Sequence, residues 1–283
     1  MDLCDVNTIK ALLARHGFRF SKALGQNFLI ESWVPHDISE ASGAGPGVGA
    51  LEIGPGIGPL TVELAQRAEK VVAVELDRAL LPILGETLAG CDNVTVIPGD
   101  VMSLDLARLV DGHMAGLRPM VCANLPYNIT TPVLHLLLES GLFSSLTVMI
   151  QKEVAQRICA APGSKDYGAF SLYCQYKADT ELLFEVPKEC FLPAPKVTSA
   201  VVRLTPHPAP ECVKDEELFF RLVRPAFVYR RKTLLNALSN ALPLPKEDIA
   251  GCIAAAGLSA DVRGERLGIP EFAALAEEVK KLL

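Results

Sequence analysis

The sequence predicts a doubly wound, mostly parallel α/β sheet with a small all-helical domain at its C-terminus. Short β-rich runs alternate with helix-like segments from residue 48 onward, and this alternation is typical of repeated βαβ units. The β-rich runs are continuously apolar, as expected for strands that helices cover on both faces. From Glu216 to Leu283 the helical patterns persist and little β signal remains.

The predicted elements alternate regularly along the N-terminal part of the chain. Pro59 lies in the first turn of the first predicted helix, where the missing N–H of proline does no harm. The predicted strands are Val48–Ile53, Val71–Glu75, Val94–Ile97, Met120–Ala123 and Leu146–Ile150, with Thr180–Val186 and Ser199–Leu204 as a closing pair. The helices predicted among them include Pro59–Ala68 and Asp77–Leu88.

Length and composition bound the domain organisation. A chain of 283 residues that is 50% hydrophobic is long enough for one large domain and a small one. The segment TPHPAP, residues 205–210, carries three prolines and predicts a linker. We therefore expect a first domain over residues 1–205 and a helical second domain over residues 206–283.

Composition also argues against several classes of protein. No apolar run is long enough for a membrane span, and the acidic N-terminus lacks the features of a secretion signal. The eight cysteines contain no C-x-x-C pair, so the sequence indicates neither a zinc site nor a disulfide framework. We expect a cytoplasmic protein with no membrane partner and no metal, in which the cysteines are small core residues.

Charge is unevenly distributed along the chain. The net charge of −6 argues against a non-specific nucleic-acid binder. Five cations and no acid nevertheless lie between Leu218 and Ala237, which we call the basic segment. These cations are Arg221, Arg224, Arg230, Arg231 and Lys232. Charge alone leaves two interpretations open: a solvated helix face, or a patch that binds a phosphate-bearing partner.

A glycine-rich turn, residues 54–58, follows the first predicted strand and opens a helix. Glycine lets a ligand approach the backbone there. Glu75 ends the second strand, at the place where a carboxylate can accept both hydroxyls of a ribose. Because position 59 is proline, the pattern is G-x-G-x-G and differs from the dinucleotide fingerprint G-x-G-x-x-G. This departure favours S-adenosylmethionine, which has no pyrophosphate to bind.

Two further segments offer polar groups near strand ends. Asp100 can accept a hydrogen bond from an adenine amino group, although taken singly it is better explained as a helix cap. The segment ANLPYNIT, residues 123–130, places an amide, a proline and an aromatic side by side. Asn and Pro mark turns for local backbone reasons, so a simple turn is one interpretation. A pocket for a flat ligand is the other.

Six segments together resemble one enzyme family. They are KALGQNFL (22–29), LEIGPGIGPLT (51–61), VELD (74–77), NLPYNIT (124–130), FLPAPKVTSAVVRL (191–204) and RRKTLLNAL (230–238). Nearly the whole chain, from Lys22 to the C-terminal helices, resembles bacterial small-subunit ribosomal RNA adenine dimethyltransferases of the KsgA type. The glycine turn is shared by many methyltransferases, whereas the Asn-Leu-Pro-Tyr, Gly-Gln-Asn-Phe and Phe-x-Pro-x-Pro segments are specific in combination.

The resemblance implies a Rossmann-like methyltransferase that uses S-adenosylmethionine. It implies that a monomeric enzyme methylates the N6 amino groups of two adjacent adenosines near the 3′ end of small-subunit ribosomal RNA, in a pre-assembled particle, during small-subunit biogenesis. The cofactor-binding residues that it implies are Asn27, Leu29, Gly54, Glu75, Asp100 and Asn124. Of these, Asn27 and Leu29 are expected at the methionine end, and Asn124 between the cofactor and the target base. The cations of the basic segment are the expected RNA contacts.

The resemblance also gives the residues after the fourth strand a chemical reason. An adenine amino group is a poor nucleophile, because its lone pair is delocalised into the ring. The side-chain oxygen of Asn124 and a backbone carbonyl at Leu125 or Pro126 can hold its two hydrogens and aim the lone pair at the methyl group. Tyr127 can stack on the purine, which is worth roughly 1–3 kcal/mol. Phe191 either covers the other face of the base or belongs to the core.

Three alternatives stay open at this point. A large-subunit adenine methyltransferase of the macrolide-resistance type shares the Asn-x-Pro-Tyr pocket. An NAD-dependent dehydrogenase has a similar fold, but Pro59 and the lack of a recognisable hydride-transfer site argue against it. A non-catalytic ribosome assembly factor would keep the fold, but the intact pocket at residues 124–127 argues against that, although a role in assembly can coexist with catalysis.

Overall fold

The computed structural model describes residues 1–21 and 25–283, and it confirms the predicted fold class. Residues 22–24, the start of the KALGQNFL segment, lie outside the described residues. The described strands are β1 (Phe28–Leu29), β2 (Val48–Ile53), β3 (Lys70–Glu75), β4 (Val94–Pro98), β5 (Arg118–Asn124), β6 (Leu146–Gln151), β7 (Ala178–Val186), β8 (Phe191–Leu192) and β9 (Ser199–Pro206).

Twelve α-helices precede, separate and follow these strands in the described part of the chain. They are α1 (Val6–Arg15), α2 (Trp33–Ala41), α3 (Pro59–Ala65), α4 (Leu81–Thr87), α5 (Leu106–His113), α6 (Thr130–Ser140), α7 (Lys152–Ile158), α8 (Ala169–Lys177), α9 (Glu216–Val228), α10 (Leu234–Ser239), α11 (Lys246–Ala255) and α12 (Ile269–Lys280). No helix in the described part of the chain has both the length and the apolar character that crossing a membrane requires.

The main sheet has seven strands in the order β4-β3-β2-β5-β6-β9-β7. β2 pairs in parallel with β3 and β5, and the outer pairs β3–β4 and β5–β6 are parallel too. β9 runs antiparallel to β6, with Ser199 opposite Gln151 at one end and Leu204 opposite Leu146 at the other. The last two strands therefore close the sheet, as the sequence predicts.

The central strand β2 is buried along its whole length, which explains its continuously apolar pattern. One helix boundary differs for a local reason: the second predicted helix begins at Leu81 and not at Asp77. The Asp77 carboxylate accepts the N–H of Ala79 at 2.9 Å. This bond holds the chain in a turn that competes with the helix.

The glycine turn between β2 and α3 needs glycine for conformational reasons. Gly54, Gly56 and Gly58 have φ of +71°, +62° and +94°, which side chains disfavour. At Gly58 a Cβ would also lie 3.2 Å from the Leu88 side chain and 3.3 Å from that of Thr87. A side chain at position 58 would therefore strain the backbone and would need Leu88 and Thr87 to shift.

The chain divides into two compact units. The methyltransferase-like unit comprises Met1–Ala155 with Asp179–Pro206, and the helical unit comprises Gln156–Ala178 with His207–Leu283. The expected first domain included residues 156–178, which the structure groups with the C-terminal helices. The reason is packing, since the Tyr176 ring lies 5.4 Å from that of Phe219. The first two residues of the predicted linker, 205 and 206, still belong to β9.

Five of the eight cysteines are buried, as the core interpretation predicts. The buried ones are Cys4, Cys122, Cys174, Cys190 and Cys252, whereas Cys212 is exposed. Burial raises the pKa of the Cys4 thiol to about 12. A thiol with so high a pKa stays protonated and unreactive at neutral pH.

Candidate active site

A cleft opens at the carboxyl ends of β2, β3 and β5, the edge where parallel α/β sheets bind ligands. All the cofactor-binding and catalytic residues that the sequence predicts line this cleft. They are Asn27, Leu29, Gly54, Glu75, Asp100, Asn124, Leu125, Pro126, Tyr127 and Phe191. The fold brings these residues together, while their individual roles stay predictions.

Glu75, the last residue of β3, is held by two backbone donors. Its Oε2 accepts the N–H of Gly56 at 3.2 Å, and its Oε1 accepts the N–H of Asp77 at 2.8 Å. Burial raises the pKa of the Glu75 carboxyl, and the two N–H donors offset part of this effect. Because a carboxylate offers about four acceptor positions, two remain for ligand hydroxyls. The arrangement suits a ribose.

Glu52 is a second buried carboxyl in the lining of the cleft, which the sequence reasoning missed. It lies within β2 with 2% exposure, and its Oε2 has no hydrogen-bond partner among the described residues. Burial raises the pKa of Glu52 to about 8, and the nearby Glu75 charge adds to the effect. Glu52 is therefore protonated at neutral pH. The signal was present in the sequence as a carboxylate inside an otherwise apolar strand.

Asp100 caps a helical turn, which is one of the two roles that the sequence left open. Its Oδ1 accepts the N–H of Met102 at 2.9 Å and caps the short 3₁₀ turn Val101–Ser103. The residue is exposed and lines the cleft. Capping occupies one oxygen of the carboxylate, so acceptor capacity remains for a ligand amino group.

Gln26, in the N-terminal part of the cleft, is connected to the Glu75 carboxylate through Asp77. The Gln26 Nε2 donates to Asp77 Oδ2 at 2.7 Å, and Asp77 in turn donates its N–H to Glu75. Asn27 donates its side-chain N–H to the Gly25 carbonyl at 2.9 Å, which leaves its side-chain oxygen as an acceptor. Sequence reasoning missed Gln26, although it lies next to Asn27 in the segment that carries the family resemblance.

The loop from Asn124 to Thr130 follows β5 directly. The N–H of Leu125 donates to the Met149 carbonyl at 3.1 Å, which extends the pairing of β5 with β6. The Pro126 carbonyl accepts the N–H of Ile129 and the hydroxyl of Thr130, each at 3.2 Å. Both lone pairs of that carbonyl are thus used inside the loop. Of the two carbonyls that the sequence left open as acceptors, the one at Leu125 is the better candidate.

Phe191 lines the cleft but belongs mostly to the core. It pairs with Leu29 across the two-stranded sheet β1–β8. Its exposure is only 2%, and it packs in the same apolar cluster as Leu29 and Met149. This burial favours the core interpretation, and stacking of Phe191 on a base stays a prediction.

The basic segment belongs to the helical unit and has a different character. The Arg230 Nε donates to Glu265 Oε2 at 2.5 Å, and its guanidinium also donates to the Lys165 carbonyl at 2.8 Å. Lys232 Nζ lies 5.2 Å from the centre of the Tyr229 ring. All five cations are exposed, and Arg221 and Arg224 line a groove along α9. Arg224 and Arg231 pair with no acid in the part of the chain that the structure describes.

Comparison with known proteins decides the family. Residues 17–263 match the family model described as "Ribosomal RNA adenine dimethylase". The chain belongs to this ribosomal RNA adenine dimethylase family. Membership confirms the resemblance seen in the sequence and excludes the dehydrogenase interpretation. The chain is therefore an S-adenosylmethionine-dependent methyltransferase that acts on ribosomal RNA.

Relatives of this adenine dimethylase cover its whole length. The "Ribosomal RNA small subunit methyltransferase A" of Geobacillus thermodenitrificans (strain NG80-2) is 47% identical over 99% of this chain and 98% of its own. Among solved structures, a dimethyladenosine transferase from Plasmodium falciparum matches with a TM-score of 0.75, 24% identity, and coverage of 89% of this chain and 97% of its own. The 23S rRNA methyltransferase ErmE matches with a TM-score of 0.69, 25% identity, and coverage of 90% and 100%.

The cleft of this adenine dimethylase fits S-adenosylmethionine on two observations. Gly54 and Gly56 present backbone without a side chain to the cleft. Glu75 is fixed by backbone donors and keeps acceptor positions for two vicinal hydroxyls. The turn offers no further glycine at position 59 for a pyrophosphate, as expected for a cofactor that has none.

Proposed function

We propose that this adenine dimethylase converts two adjacent adenosines near the 3′ end of small-subunit ribosomal RNA into N6,N6-dimethyladenosines during small-subunit biogenesis. The observation that carries the proposal is the 47% identity, over nearly both full lengths, with a protein named for the small subunit. The 23S rRNA methyltransferase shares 25% identity. The large-subunit alternative is therefore less well supported.

The proposed cofactor contacts follow the order of the strands. Asn27 and Leu29 hold the methionine end, and the backbone at Gly54 approaches the cofactor closely. Glu75 accepts the ribose hydroxyls through the acceptor positions that the Gly56 and Asp77 N–H groups leave free. Asp100 accepts the adenine amino group with the oxygen that does not cap the 3₁₀ turn. When bound, the cofactor supplies an electrophilic methyl group on a sulfonium sulfur.

The proposed chemical role of Asn124 and Leu125 is to prepare the target nitrogen. The Asn124 side-chain oxygen and the Leu125 carbonyl each accept one hydrogen of the adenine amino group. The Pro126 carbonyl is already occupied by Ile129 and Thr130, so it serves to hold the loop in shape. Two acceptors on one amino group draw its nitrogen toward a tetrahedral form with a directed lone pair. Catalysis then rests on positioning and electrostatics.

Tyr127 provides the proposed stacking surface for the adenine. Its ring lines the cleft beside the two acceptors. Stacking of an aromatic side chain on a base contributes roughly 1–3 kcal/mol and works with any base. The two hydrogen bonds at N6 then select a base with an exocyclic amino group over guanine and uracil, which present a keto oxygen at the same place.

The basic segment is the proposed RNA contact of the helical unit. A pocket for one base cannot distinguish two adenosines from the rest of a ribosome, so specificity needs further contacts. Phosphate contacts set register and orientation. All five cations of the segment are exposed and so are suited to that role. We propose that the enzyme acts as a monomer on a pre-assembled particle.

A transfer assay with labelled cofactor tests the proposed function. Small subunits, large subunits and protein-free RNA, all lacking the modification, are each incubated with the protein. The modified nucleoside is identified after digestion. We expect N6,N6-dimethyladenosine from small subunits and little from free RNA. Label in large subunits, or in a different nucleoside, contradicts the proposal. Asn124→Ala protein provides the background.

A further inference from the structure

Tyr127 is fixed at its far end by a buried serine from a distant part of the sheet. The Tyr127 hydroxyl and the Ser199 Oγ lie 2.6 Å apart, and either oxygen can donate. Ser199 is the first residue of β9, has no exposed surface and pairs opposite Gln151 of β6. The hydroxyl of Ser199 is therefore anchored on the sheet, whereas Tyr127 lies on a loop.

Hydrogen bonds within the loop from Asn124 to Thr130 fix its backbone but do not fix the side-chain ring of Tyr127. The bonds at Leu125 and Pro126 hold the main chain on either side of Tyr127. A tyrosine ring still has two side-chain torsions about which it can turn. A bond at the hydroxyl, the atom farthest from the backbone, restrains the torsion about Cα–Cβ and so fixes where the ring lies.

The bond between the two hydroxyls is a neutral one at physiological pH. Burial raises the pKa of the Tyr127 phenol above its ordinary value, while the bond to Ser199 offsets part of that effect. The phenol therefore stays protonated across the working range. Its restraint on the ring does not change with pH in that range.

We propose that Ser199 is a positioning residue for base methylation, whose hydroxyl holds the Tyr127 ring in the place where the target adenine stacks on it. This proposal rests on the proposed function. Ser199 is fully buried and acts only through Tyr127. A ring that is ordered before the base arrives leaves less freedom to be lost in the reactive complex. Since methyl transfer needs a near-attack geometry, a loosened ring lowers the rate of the chemical step.

The structure offers two ways to remove the same bond. Ser199→Ala removes it from the sheet and Tyr127→Phe removes it from the loop, and both keep the aromatic ring. On small subunits we expect each variant to lower kcat by roughly three- to tenfold, the effect of one net neutral hydrogen bond. KM should change less than twofold, because contacts outside the cleft supply most of the particle affinity. The double variant should be no slower than the slower single variant, because both changes delete one interaction.

Ser42→Ala is the matched control. The Ser42 hydroxyl is also buried, donates to the Ser39 carbonyl at 2.6 Å and accepts the N–H of Ala44 at 3.1 Å, but Ser42 does not line the cleft. We expect this variant to lose at least as much thermal stability as Ser199→Ala and to keep the parent kcat. Calorimetry should give the parent affinity for S-adenosylhomocysteine in all the variants.

Three results overturn the positioning role. They are a Ser199→Ala enzyme as fast as the parent, additive losses in the double variant, and an equal loss of kcat in Ser42→Ala. Failure of the proposed function is distinguishable from these, because the parent protein itself would then form no dimethyladenosine on small subunits.

Discussion

The cleft and the basic segment assemble their functional side chains in opposite ways. In the methyltransferase-like unit, residues as far apart in sequence as Asn27 and Phe191 line one cleft. In the helical unit, two cations that are close in sequence have different partners: Arg230 pairs with Glu265, and Lys232 lies against the ring of Tyr229. Separation along the sequence therefore predicts neither which residues line the cleft nor which partners the cations of the basic segment have.

The difference follows from topology. The carboxyl ends of parallel strands meet at one edge of a sheet, so a residue at a strand end has its position assigned by the fold. A surface cation such as Arg230, in the turn after α9, pairs with whichever acid the tertiary structure brings near. The basic segment contains no acid, yet Glu265 neutralises one of its members. Counting charges in a sequence window therefore overestimates the free charge.

The largest expected effect tests whether the cleft acts as one chemical unit. Asn124→Ala should lower methyl transfer by about 100- to 1000-fold, as loss of one preorganised polar group does, while thermal stability changes little. Asn93→Ala is the control: its side chain donates to the carbonyls of Ala65 and Ala68, both at 2.9 Å, away from the chemistry. That variant should lose stability and keep its rate. Equal rates for the two variants would remove Asn124 from the mechanism.

The second prediction compares the two ends of β3. Glu75→Ala should weaken binding of S-adenosylhomocysteine by about 1.5–3 kcal/mol per lost charge-assisted hydrogen bond. Glu69 precedes the other end of the strand and accepts the Gly47 N–H at 2.8 Å. Glu69→Ala should leave the affinity unchanged. Titration calorimetry measures both, and unchanged affinity in Glu75→Ala would refute the ribose assignment.

Acid should mimic the Glu75 substitution. Burial raises the pKa of this carboxyl above 4.5, so it gains a proton at a higher pH than an exposed glutamate does. The protonated form is a weaker acceptor for ribose hydroxyls. We therefore expect cofactor affinity to fall as the pH is lowered through this raised pKa, and to fall far less in Glu75→Ala. Calorimetry at several pH values provides the measurement, and parallel profiles would contradict the assignment.

The third effect concerns stability and the neutral carboxyl of Glu52. Between pH 4.5 and about 8 the folded protein keeps a proton that the unfolded chain releases. The free energy of unfolding should therefore fall as pH rises through this window, by about 1.4 kcal/mol per pH unit from this residue. Glu52→Gln should lack that contribution. Urea unfolding at pH 5 to 8 compares the two proteins, and a constant difference between them would count against a neutral Glu52.

The smallest effect separates free from paired cations in the basic segment. Arg231→Ala should reduce the salt dependence of particle binding by about one unit of slope, the value for one phosphate contact. Arg230→Ala should reduce it less, because its guanidinium already pairs with Glu265 and the Lys165 carbonyl. Filter binding across a range of salt concentrations measures both slopes. Unchanged slopes in both variants would leave these cations as solvated surface.

The sheet and most of the cleft were predictable because their signals are local. The strand Val48–Ile53 has the same ends in prediction and structure, since a strand covered on both faces is apolar throughout. Its one exception, Glu52, was visible in the sequence. Once the strand ends are known, topology alone places Glu75 and Asn124 at the same edge.

The remaining features depend on contacts between residues far apart in sequence. Ser199 follows Tyr127 by 72 residues, and Glu265 follows Arg230 by 35. No periodicity or motif links such pairs. The assignment of residues 156–178 to the helical unit has the same origin, because only the packed structure brings Tyr176 against Phe219.

Gly58 bears on how a library of variants of this protein would be interpreted. The glycine turn holds Gly58 at φ +94° against Leu88 and Thr87. Gly58 is not among the residues that line the cleft. A saturation screen should therefore select against side chains at position 58 as well as against changes at Asn124. Intolerance to substitution in this enzyme reports two different demands, chemistry at Asn124 and backbone geometry at Gly58. An activity screen alone does not separate these two demands. A measurement of thermal stability does, because only substitutions at Gly58 should destabilise the fold.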